Sequence, residues 1–256
     1  MDLKLRGARA LVTGSSSGVG WAIARELAAE GASVVINGRD ALRLGAAVDR
    51  IHQAVPGAEV DAVQADLSGA AGCQALQESV EDVDVLVCNL GVCEPRPFEV
   101  VSDVDWQHLF EVNVMSGVRL VRHHLPRMKS RGWGRIVFVS NEFADSAADG
   151  AGPGHMTTLA PSSILRGLTE SCEGTGVTVN TVVPGPIRSE GTKRMLATLA
   201  REAGKSIQEV EQEHMARAHP AWARKRFLEP AELAPIVAYV CSSPAGRLNG
   251  STLRLA

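Results

Sequence analysis

The chain has 256 residues, of which 45% are hydrophobic and 21% are charged, and its formal net charge is -3. A chain of this length commonly forms one α/β domain. Its basic and acidic residues are interspersed, without the long runs of one sign that mark nucleic-acid-binding or membrane-surface proteins. No apolar run approaches the roughly 20 residues of a membrane helix. We therefore expect one domain over residues 1–256 that binds a small molecule, with neither nucleic acid nor a membrane as partner.

The N-terminal stretch and the cysteines bear on location. MDLKLRGARALVTG enters a strand pattern directly, without the charged region, apolar region and cleavage site of a secretory signal. The five cysteines are scattered and lack C-x-x-C spacing, which is typical of reduced, buried thiols. Adjacent His123 and His124 would point in different directions on a helix. We expect a cytoplasmic protein with no metal site.

Short β-branched runs alternate with longer Ala- and Leu-rich amphipathic stretches. The runs are ARALVTG, ASVVING, AEVDAVQAD, VDVLVCN, GRIVFVS, GVTVNTVVPG and GSTLRLA. This alternation predicts an α/β fold with a doubly wound parallel sheet of about seven strands and helices on both faces. Between the fourth and fifth runs, Ser102 to Arg131 is typical of one long helix, which Pro126 would break or kink near its end.

The composition changes after the sixth strand. Residues 187–230 are polar, charged and helical in pattern, and they follow the carboxyl edge of the predicted sheet, where open α/β sheets bind ligands. We interpret this insert as a candidate substrate lid. The alternative is a solvated pair of helices that only decorates the edge.

The motif TGSSSGVG, Thr13 to Gly20, lies between the first strand and a helix. A glycine-rich turn lets the backbone approach a pyrophosphate, and the first amides of the following helix favour its negative charge. The strand, turn and helix occur in the order that a dinucleotide site requires. The sequence therefore predicts dinucleotide binding.

The second strand ends in Arg39 and Asp40, where dinucleotide folds distinguish the two nicotinamide cofactors. Arg39 can make a charge-assisted contact to a ribose 2′-phosphate, whereas a carboxylate at this position commonly selects NAD. NADP is favoured, although a solvated Arg39 would leave the preference open. Asp40 is expected to cap the next helix.

Four further motifs follow the glycine-rich turn in order: ADL at 65–67, CNLG at 88–91, EVNV at 111–114 and PGP at 184–186. In order and spacing they resemble the short-chain dehydrogenase/reductase family over nearly the whole chain. The similarity is greatest to the branch of 3-oxoacyl-carrier-protein-reductase-like oxidoreductases. The resemblance implies a Rossmann-like fold, an NADP(H)-dependent oxidoreductase, and a homodimer or homotetramer built on the helix after Ser102 and the helix around residues 154–172.

The resemblance also implies roles for matching residues. Asp66 would bind the adenine amino group, Asn89 and Gly91 would line the adenosine side, and Asn113 would shape the active site and hold a water of the proton relay. The expected cofactor-binding set is Gly14, Ser15, Ser16, Ser17, Gly18, Val19, Gly20, Arg39, Asp66, Leu67, Asn89, Gly91, Pro184, Gly185 and Ile187.

The catalytic serine, tyrosine and lysine of the family are missing from their expected positions. Asn141 stands at the serine position, or Ser140 if the register is one residue off; thirteen residues after Asn141 is Gly154 for the tyrosine, and four further is Thr158 for the lysine. The segment LRGLTE, at 165–170, matches a helix segment of the branch and gives the same register without a gap.

The rest of the sequence offers no displaced tyrosine or lysine. The only tyrosine is Tyr239, and no lysine lies between Lys129 and Lys193. Glycine has no acid, and a threonine hydroxyl is too weak an acid to replace a phenol beside an ammonium. Ordinary ketone reduction would lose a general acid worth about 10²- to 10⁴-fold in rate. The chain is identified as an atypical member of the family.

Three explanations remain open. The favoured one is a substrate that supplies its own activation, such as an iminium or hemiaminal-derived centre, a quinone, or a ketone hydrogen-bonded to its own phenol. Its hydride transfer would be directed by Asn113 and by a wall containing Cys93, Glu94, Asn141, His155 and the insert. The second is a replacement acid, with His155 first and Glu142, Asp145 and Asp149 as others, although the interpretation of His155 as a surface or interface histidine is favoured. The third is a non-catalytic NADP-binding pseudoenzyme, a sensor or partner subunit.

Overall fold

A computed structural model of the protein describes residues 1–92, 98–140, 157, 164, 167–218 and 226–255. Its centre is a parallel sheet of seven strands in the order β3-β2-β1-β4-β5-β6-β7. The strands are β1 Arg9–Val12, β2 Ser33–Gly38, β3 Val60–Gln64, β4 Val85–Cys88, β5 Gly134–Val139, β6 Val177–Pro184 and β7 Thr252–Leu255. Each lies in one of the seven runs, so the prediction of a parallel sheet of about seven strands is confirmed.

Helices cover both faces of this sheet. They are α1 Gly18–Ala29, α2 Ala41–Ala54, α3 Ala70–Ser79, α4 Asp103–Phe110, α5 Ser116–Arg131, α6 Glu190–Ala203, α7 Ile207–Ala218 and α8 Pro230–Val240. Residues 167–172 are also helical, and none of the helices described is long and apolar enough to cross a membrane.

Two hydrophobic cores lie on opposite faces of the sheet because successive strand side chains point in opposite directions. In β1, Val12 packs with α1, α2 and α8, whereas Leu11 packs with α3 and α5. The strand order reverses between β1 and β4, which places a crevice at the carboxyl edge of the sheet. The protein therefore has the doubly wound α/β fold of the Rossmann kind.

The predicted long helix is present, with one unpredicted feature. Ser102 begins it through a capping box with Asp105, and α4 continues through a π-helical turn, Glu111–Met115, into α5. Of the two expected effects of Pro126, a break is wrong, because α5 runs on to Arg131; a kink there stays a prediction. Pro126 is exposed, so the carbonyl that it leaves unpaired can face water.

The insert is helical, as its composition predicted, and has a small core of its own. Leu196 and Ala200 of α6 pack with Val210 and Met215 of α7 and with Phe227. The two ends of the insert meet where Ile187 pairs with Leu228 in an isolated parallel bridge. This closed base places the insert beside the carboxyl edge of the sheet.

Four cysteines fall within the described residues, namely Cys73, Cys88, Cys172 and Cys241, and all four are buried free thiols. Burial raises the pKa of the Cys88 thiol to about 12, and that of Cys241 to about 12. Thiols held protonated in this way are poor nucleophiles and metal ligands. The interpretation of these four cysteines as buried, reduced side chains is confirmed, and Cys93 lies outside the described residues.

Candidate active site

The crevice at the carboxyl edge divides into two connected spaces, which we call the inner cleft and the outer cleft. The inner cleft, of about 340 Å³, lies between the turn after β1, the ends of β4 and β5, and the segment after β6. The outer cleft, of about 230 Å³, lies between the ends of β2 and β3 and one face of α4. Gly14 and Ser17 line both spaces, so the glycine-rich turn forms their common floor.

Glycine is required at the turn for two different reasons. Gly14 has φ of 60° and Gly18 has φ of 59°, in the left-handed region that L side chains rarely adopt. A Cβ on Gly20 would lie 2.5 Å from the Gly14 carbonyl oxygen, so only glycine lets α1 approach the turn. The turn thus brings the unpaired first amides of α1 to the cleft, where they favour an anion.

The side chains of Ser15 and Asn89 hold the backbone of the glycine-rich turn through hydrogen bonds. Buried Ser15 donates through Oγ to the Val12 carbonyl at 2.6 Å, and the Asn37 amide donates to Ser15 Oγ at 2.9 Å. Asn89 Nδ2 donates to the carbonyl oxygens of Thr13 at 3.0 Å and Gly14 at 3.2 Å. Ser15 and Asn89 therefore hold the turn in shape.

The outer cleft has cationic side chains on its β2 side. No described residue hydrogen bonds to or ion-pairs with the guanidinium of Arg39. Arg43, one helical turn further on, also lines this cleft and donates weakly to Ser17 Oγ at 3.4 Å. Asp40 accepts the Arg43 backbone amide at 3.0 Å and caps α2, as predicted. The arrangement leaves Arg39 available for an anion at the mouth of the cleft.

Asp66 lies across the outer cleft from these arginines. The Ser68 backbone amide donates to its Oδ1 at 3.0 Å. Hydrogen bonds from Ser68 lower the pKa of the Asp66 carboxyl most; burial raises this pKa by less, and nearby Arg39 and His108 lower it slightly further. Asp66 is therefore an ionised acceptor at neutral pH.

Asn113 projects from the π-helical turn into the inner cleft. Its Oδ1 accepts the Val92 amide at 2.7 Å, and its Nδ2 donates to the Val92 carbonyl at 2.8 Å and to Thr157 Oγ1 at 2.8 Å. The side chain thus joins the segment after β4 to buried Thr157 across the cleft. A π-helical turn that carries a polar side chain into a cleft is typical of a functional site.

Backbone hydrogen bonds fix the segment after β6 at several points. The Gly185 amide donates to the Leu255 carbonyl at 2.7 Å, and Leu228 exchanges hydrogen bonds with Pro186 and Arg188 at 2.7 and 2.8 Å. Ile187 and Ser189 line the inner cleft beside Pro184. Ser189 also begins α6, because its hydroxyl accepts the Thr192 amide at 3.1 Å.

The structure brings most of the expected cofactor-binding residues together. Those that line the inner cleft are Gly14, Ser17, Val19, Gly20, Asn89, Gly91, Pro184 and Ile187, and those that line the outer cleft are Gly14, Ser16, Ser17, Arg39, Asp66 and Leu67. Gly18 lines an adjacent pocket at the base of the insert. Ser15 and Gly185 support the cleft through the hydrogen bonds above. Arg43, His108 and Ser189 also line it and were missed; Ser189 had a signal, as a helix-capping serine directly after PGPIR.

Several proposed catalytic or wall residues lie outside the described residues, namely Cys93, Glu94, Asn141, Gly154, His155 and Thr158. Asn113 and Ser140 are described, and both line the inner cleft. None of the described residues that line the inner cleft is charged. Tyr239, the only tyrosine of the chain, is on α8, which packs against α1, and it lines neither cleft.

Comparison with known proteins places this geometry in a family. Residues 8–200 match the short chain dehydrogenase family. The uncharacterized oxidoreductase YvaG of Bacillus subtilis (strain 168) is 39% identical over 254 residues, which cover 99% of this chain and 96% of YvaG.

Two crystal structures agree with the whole fold. L-sorbose reductase from Gluconobacter frateurii, complexed with NADPH and L-sorbose, has a TM-score of 0.92 at 29% identity, covering 100% of this chain and 97% of that chain. A 3-oxoacyl (acyl-carrier-protein) reductase from Agrobacterium tumefaciens C58 with NADP bound has a TM-score of 0.89 at 26% identity, covering 99% of this chain and 95% of that chain. From its sequence match, its sheet order and its glycine-rich turn, the chain belongs to the short-chain dehydrogenase family.

Proposed function

We propose that this protein is an NADP(H)-dependent reductase whose substrate needs no general acid from the protein. It is an oxidoreductase of the short-chain dehydrogenase kind. The observation that carries the finer proposal is the placement of the only tyrosine, Tyr239, on a helix that lines neither cleft.

The described residues fit a nicotinamide dinucleotide phosphate. The turn from Gly14 to Gly20 and the first amides of α1 would hold the diphosphate, since no Cβ obstructs them. The guanidinium of Arg39, which has no hydrogen-bonding or ion-pair partner among the described residues, would pair with the 2′-phosphate, with Arg43 beside it. Asp66 would take the adenine, and Pro184 and Ile187 would border the nicotinamide. When bound, NADPH supplies the hydride. Structures similar to this one hold NADPH or NADP.

The missing acid limits which substrates can react. Gly154 and Thr158 stand, by register, where the family has its tyrosine and lysine. An iminium carbon accepts a hydride directly: the hydride's two electrons form the new C–H bond, and the C=N π electrons become the lone pair of the neutral product amine. That reduction needs no proton at the transition state. A quinone or an internally hydrogen-bonded ketone would likewise carry its own activation.

The electrostatics of the inner cleft support a cationic reacting centre. No described lining residue is charged. An ammonium 4 Å from a cationic substrate would cost roughly 4 kcal/mol at an intermediate dielectric. Replacing lysine by Thr158 removes that repulsion. Asn113 would then act by holding Val92 and Thr157 in place, with Asn141 and His155 as residues of the substrate wall. The proposal treats residues 1–256 as one domain, in which the insert at about 187–230 is the lid over the substrate.

The test is NADPH oxidation against a cyclic iminium salt, a quinone and a simple ketone. We expect turnover of at least one of the first two and little turnover of the ketone. Fast ketone turnover that His155→Ala abolishes would instead assign a replacement acid. Tight NADPH binding without turnover of any class would assign a pseudoenzyme.

We also propose that the protein assembles as a homodimer or homotetramer through the helix after Ser102 and the helix around residues 154–172. Val104 and Phe110 of α4 support this, because they are 73% and 47% exposed apolar side chains on one element. Light scattering at micromolar concentration should give a dimer or tetramer mass. A monomer mass would overturn the assembly.

A further inference from the structure

The outer cleft contains an imidazole to which the proposed function gives no task. His108 of α4 and Val112 of the π-helical turn that follows lie four residues apart, and both line this cleft. Asp66, which follows β3, lines the cleft as well. No hydrogen bond or ion pair joins His108 to any residue in the described part of the chain. An unpaired polar ring therefore borders the same space as an ionised carboxylate.

The two side chains have opposite hydrogen-bonding chemistry. Asp66 offers only acceptors when ionised, and although Ser68 donates to it through its backbone amide and its side chain, the two carboxylate oxygens have about four acceptor sites. An imidazole carries an N–H donor in either neutral tautomer, and two when charged. The cleft thus offers one acceptor and one donor to a flat ligand that reaches both.

Adenine has the complementary pair on its N7 edge, where N7 accepts and the N6 amino group donates. We propose that His108 and Asp66 together recognise this edge of the cofactor's adenine, with His108 donating to N7 and Asp66 accepting from the N6 amino group. The inference rests on the proposed NADP(H) function and adds His108 as a binding and specificity residue. A purine with a carbonyl oxygen at position 6 is rejected, because that oxygen faces the Asp66 carboxylate and leaves it unpaired.

The N7 contact separates this arrangement from a histidine that only faces solvent. An imidazole in solvent is indifferent to the atom at position 7 of the base. A donating His108 distinguishes nitrogen from CH there, and it does so only while the imidazole is present. Position 7 of the base is remote from the 2′-phosphate, so Arg39 is unaffected by the exchange.

The experiment measures dissociation constants of NADPH and of its 7-deazaadenine analogue, for the parent protein and for His108→Ala. We expect the parent to bind NADPH about tenfold more tightly than the analogue. His108→Ala should bind both equally, at the level of the parent with the analogue. Gln107→Ala, an exposed neighbour on α4 that does not line the cleft, should behave as the parent.

The outcomes separate the two proposals. A parent that binds NADPH tightly but does not distinguish it from the analogue overturns the role of His108 and leaves the proposed function intact. A parent that binds no NADPH overturns both. The parent protein alone gives the ratio of the NADPH and analogue dissociation constants. The inference can therefore still be contradicted if thermal melting shows that His108→Ala is misfolded.

Discussion

In the proposed function, the selectivity for NADPH over NADH depends mainly on one side chain, that of Arg39. Its guanidinium has no described partner, and only NADPH carries the phosphate that would pair with it. Arg39→Ala should therefore weaken NADPH binding by roughly 10- to 100-fold, the equivalent of one charge-assisted contact, and should spare NADH. Binding titrations with both cofactors measure this. Arg122→Ala, at an exposed position on α5, serves as the control, and equal weakening of both cofactors by Arg39→Ala would refute the assignment.

Substitutions at Gly154 and Thr158, the residues expected at the family's tyrosine and lysine positions, test the proposal that the protein supplies no general acid. If the substrate supplies its own activation, Gly154→Tyr combined with Thr158→Lys should leave turnover of the natural substrate unchanged or lower it. The phenol would fill substrate space, and the ammonium would repel a cationic centre. Steady-state NADPH oxidation is the measurement, with folding checked by melting in the presence of cofactor. A gain of tenfold or more, about 1.4 kcal/mol of barrier, would show that the acid had been limiting.

Single residues differ in how far the sequence predicts them. The turn glycines and the Asp40 cap follow from local patterns, since each depends on residues a few positions away. Asn113 could be assigned only through the resemblance, because its amide bonds to Val92 and Thr157, which are 21 and 44 residues away. His108 lacks any local signal, since only the packing of α4 against the end of β3 makes it part of a cleft.

The insert is held by one ion-pair cluster at its base. Glu211 of α7 is 7% exposed as a side chain; it pairs with Arg188, which is 26% exposed, and accepts the Phe227 amide at 2.9 Å. Glu211→Ala should cost roughly 2 to 3 kcal/mol, somewhat below a fully buried pair because Arg188 reaches water. Hydrogen exchange should accelerate in α6 and α7 and stay slow in the sheet.

The matched control is Glu213→Ala on the same helix. Glu213 pairs with Lys205 but is 60% exposed, so its loss should cost less than about 1 kcal/mol. If the insert is a lid, Glu211→Ala should also lower kcat/KM while Glu213→Ala does not. Unchanged kcat/KM alongside faster exchange would mean that the insert only decorates the edge.

Elements were predicted well where periodicity is strong and poorly where one residue changes the geometry. Strands and helices repeat at different periods, so the seven strands could be found from composition and alternation. The π-helical turn adds one residue to a helical turn without changing the apolar pattern of 102–131, so nothing in the sequence signals it. Pro126 removes one backbone hydrogen bond and so favours a break or a kink, but its exposed position lets water satisfy the freed carbonyl, and the helix continues through it.

The stability of the whole molecule should depend on pH through a buried histidine. His124 is fully buried, and burial lowers its pKa to about 4, with His123 and Arg127 adding to the effect. The Glu81 backbone opposes this only weakly, since neither ring nitrogen of His124 has a hydrogen-bonding partner among the described residues. Below an unfolded pKa near 6.5, His124 is protonated in the unfolded chain but stays neutral in the native state.

The sign follows from this proton uptake. The contribution of neutral His124 to the free energy of unfolding is fully present above the unfolded pKa. It falls as the pH drops towards the folded pKa of about 4. His124 should account for a loss of about 2 kcal/mol between pH 7 and pH 5. Urea unfolding across that range should show a shallower pH dependence for His124→Leu, whereas His52→Leu, at an exposed site on α2, should keep the parent slope. Identical slopes for parent and His124→Leu would contradict the assignment.

The hydrogen bond from Gly185 to Leu255, together with the packing of α8 against α1, has a consequence for synthesis on the ribosome. The turn that begins α1 emerges early, and α1 can pack against β1, β2 and α2, but the part of its apolar side that α8 covers stays exposed until α8 has been translated. The Gly185 amide at the cleft gains its hydrogen-bond acceptor later still, when β7, which contains Leu255, has been translated. A nascent chain that lacks α8 and β7 therefore leaves part of α1 and one edge of β6 uncovered, and exposed apolar surface and unpaired strand edges of this kind favour aggregation.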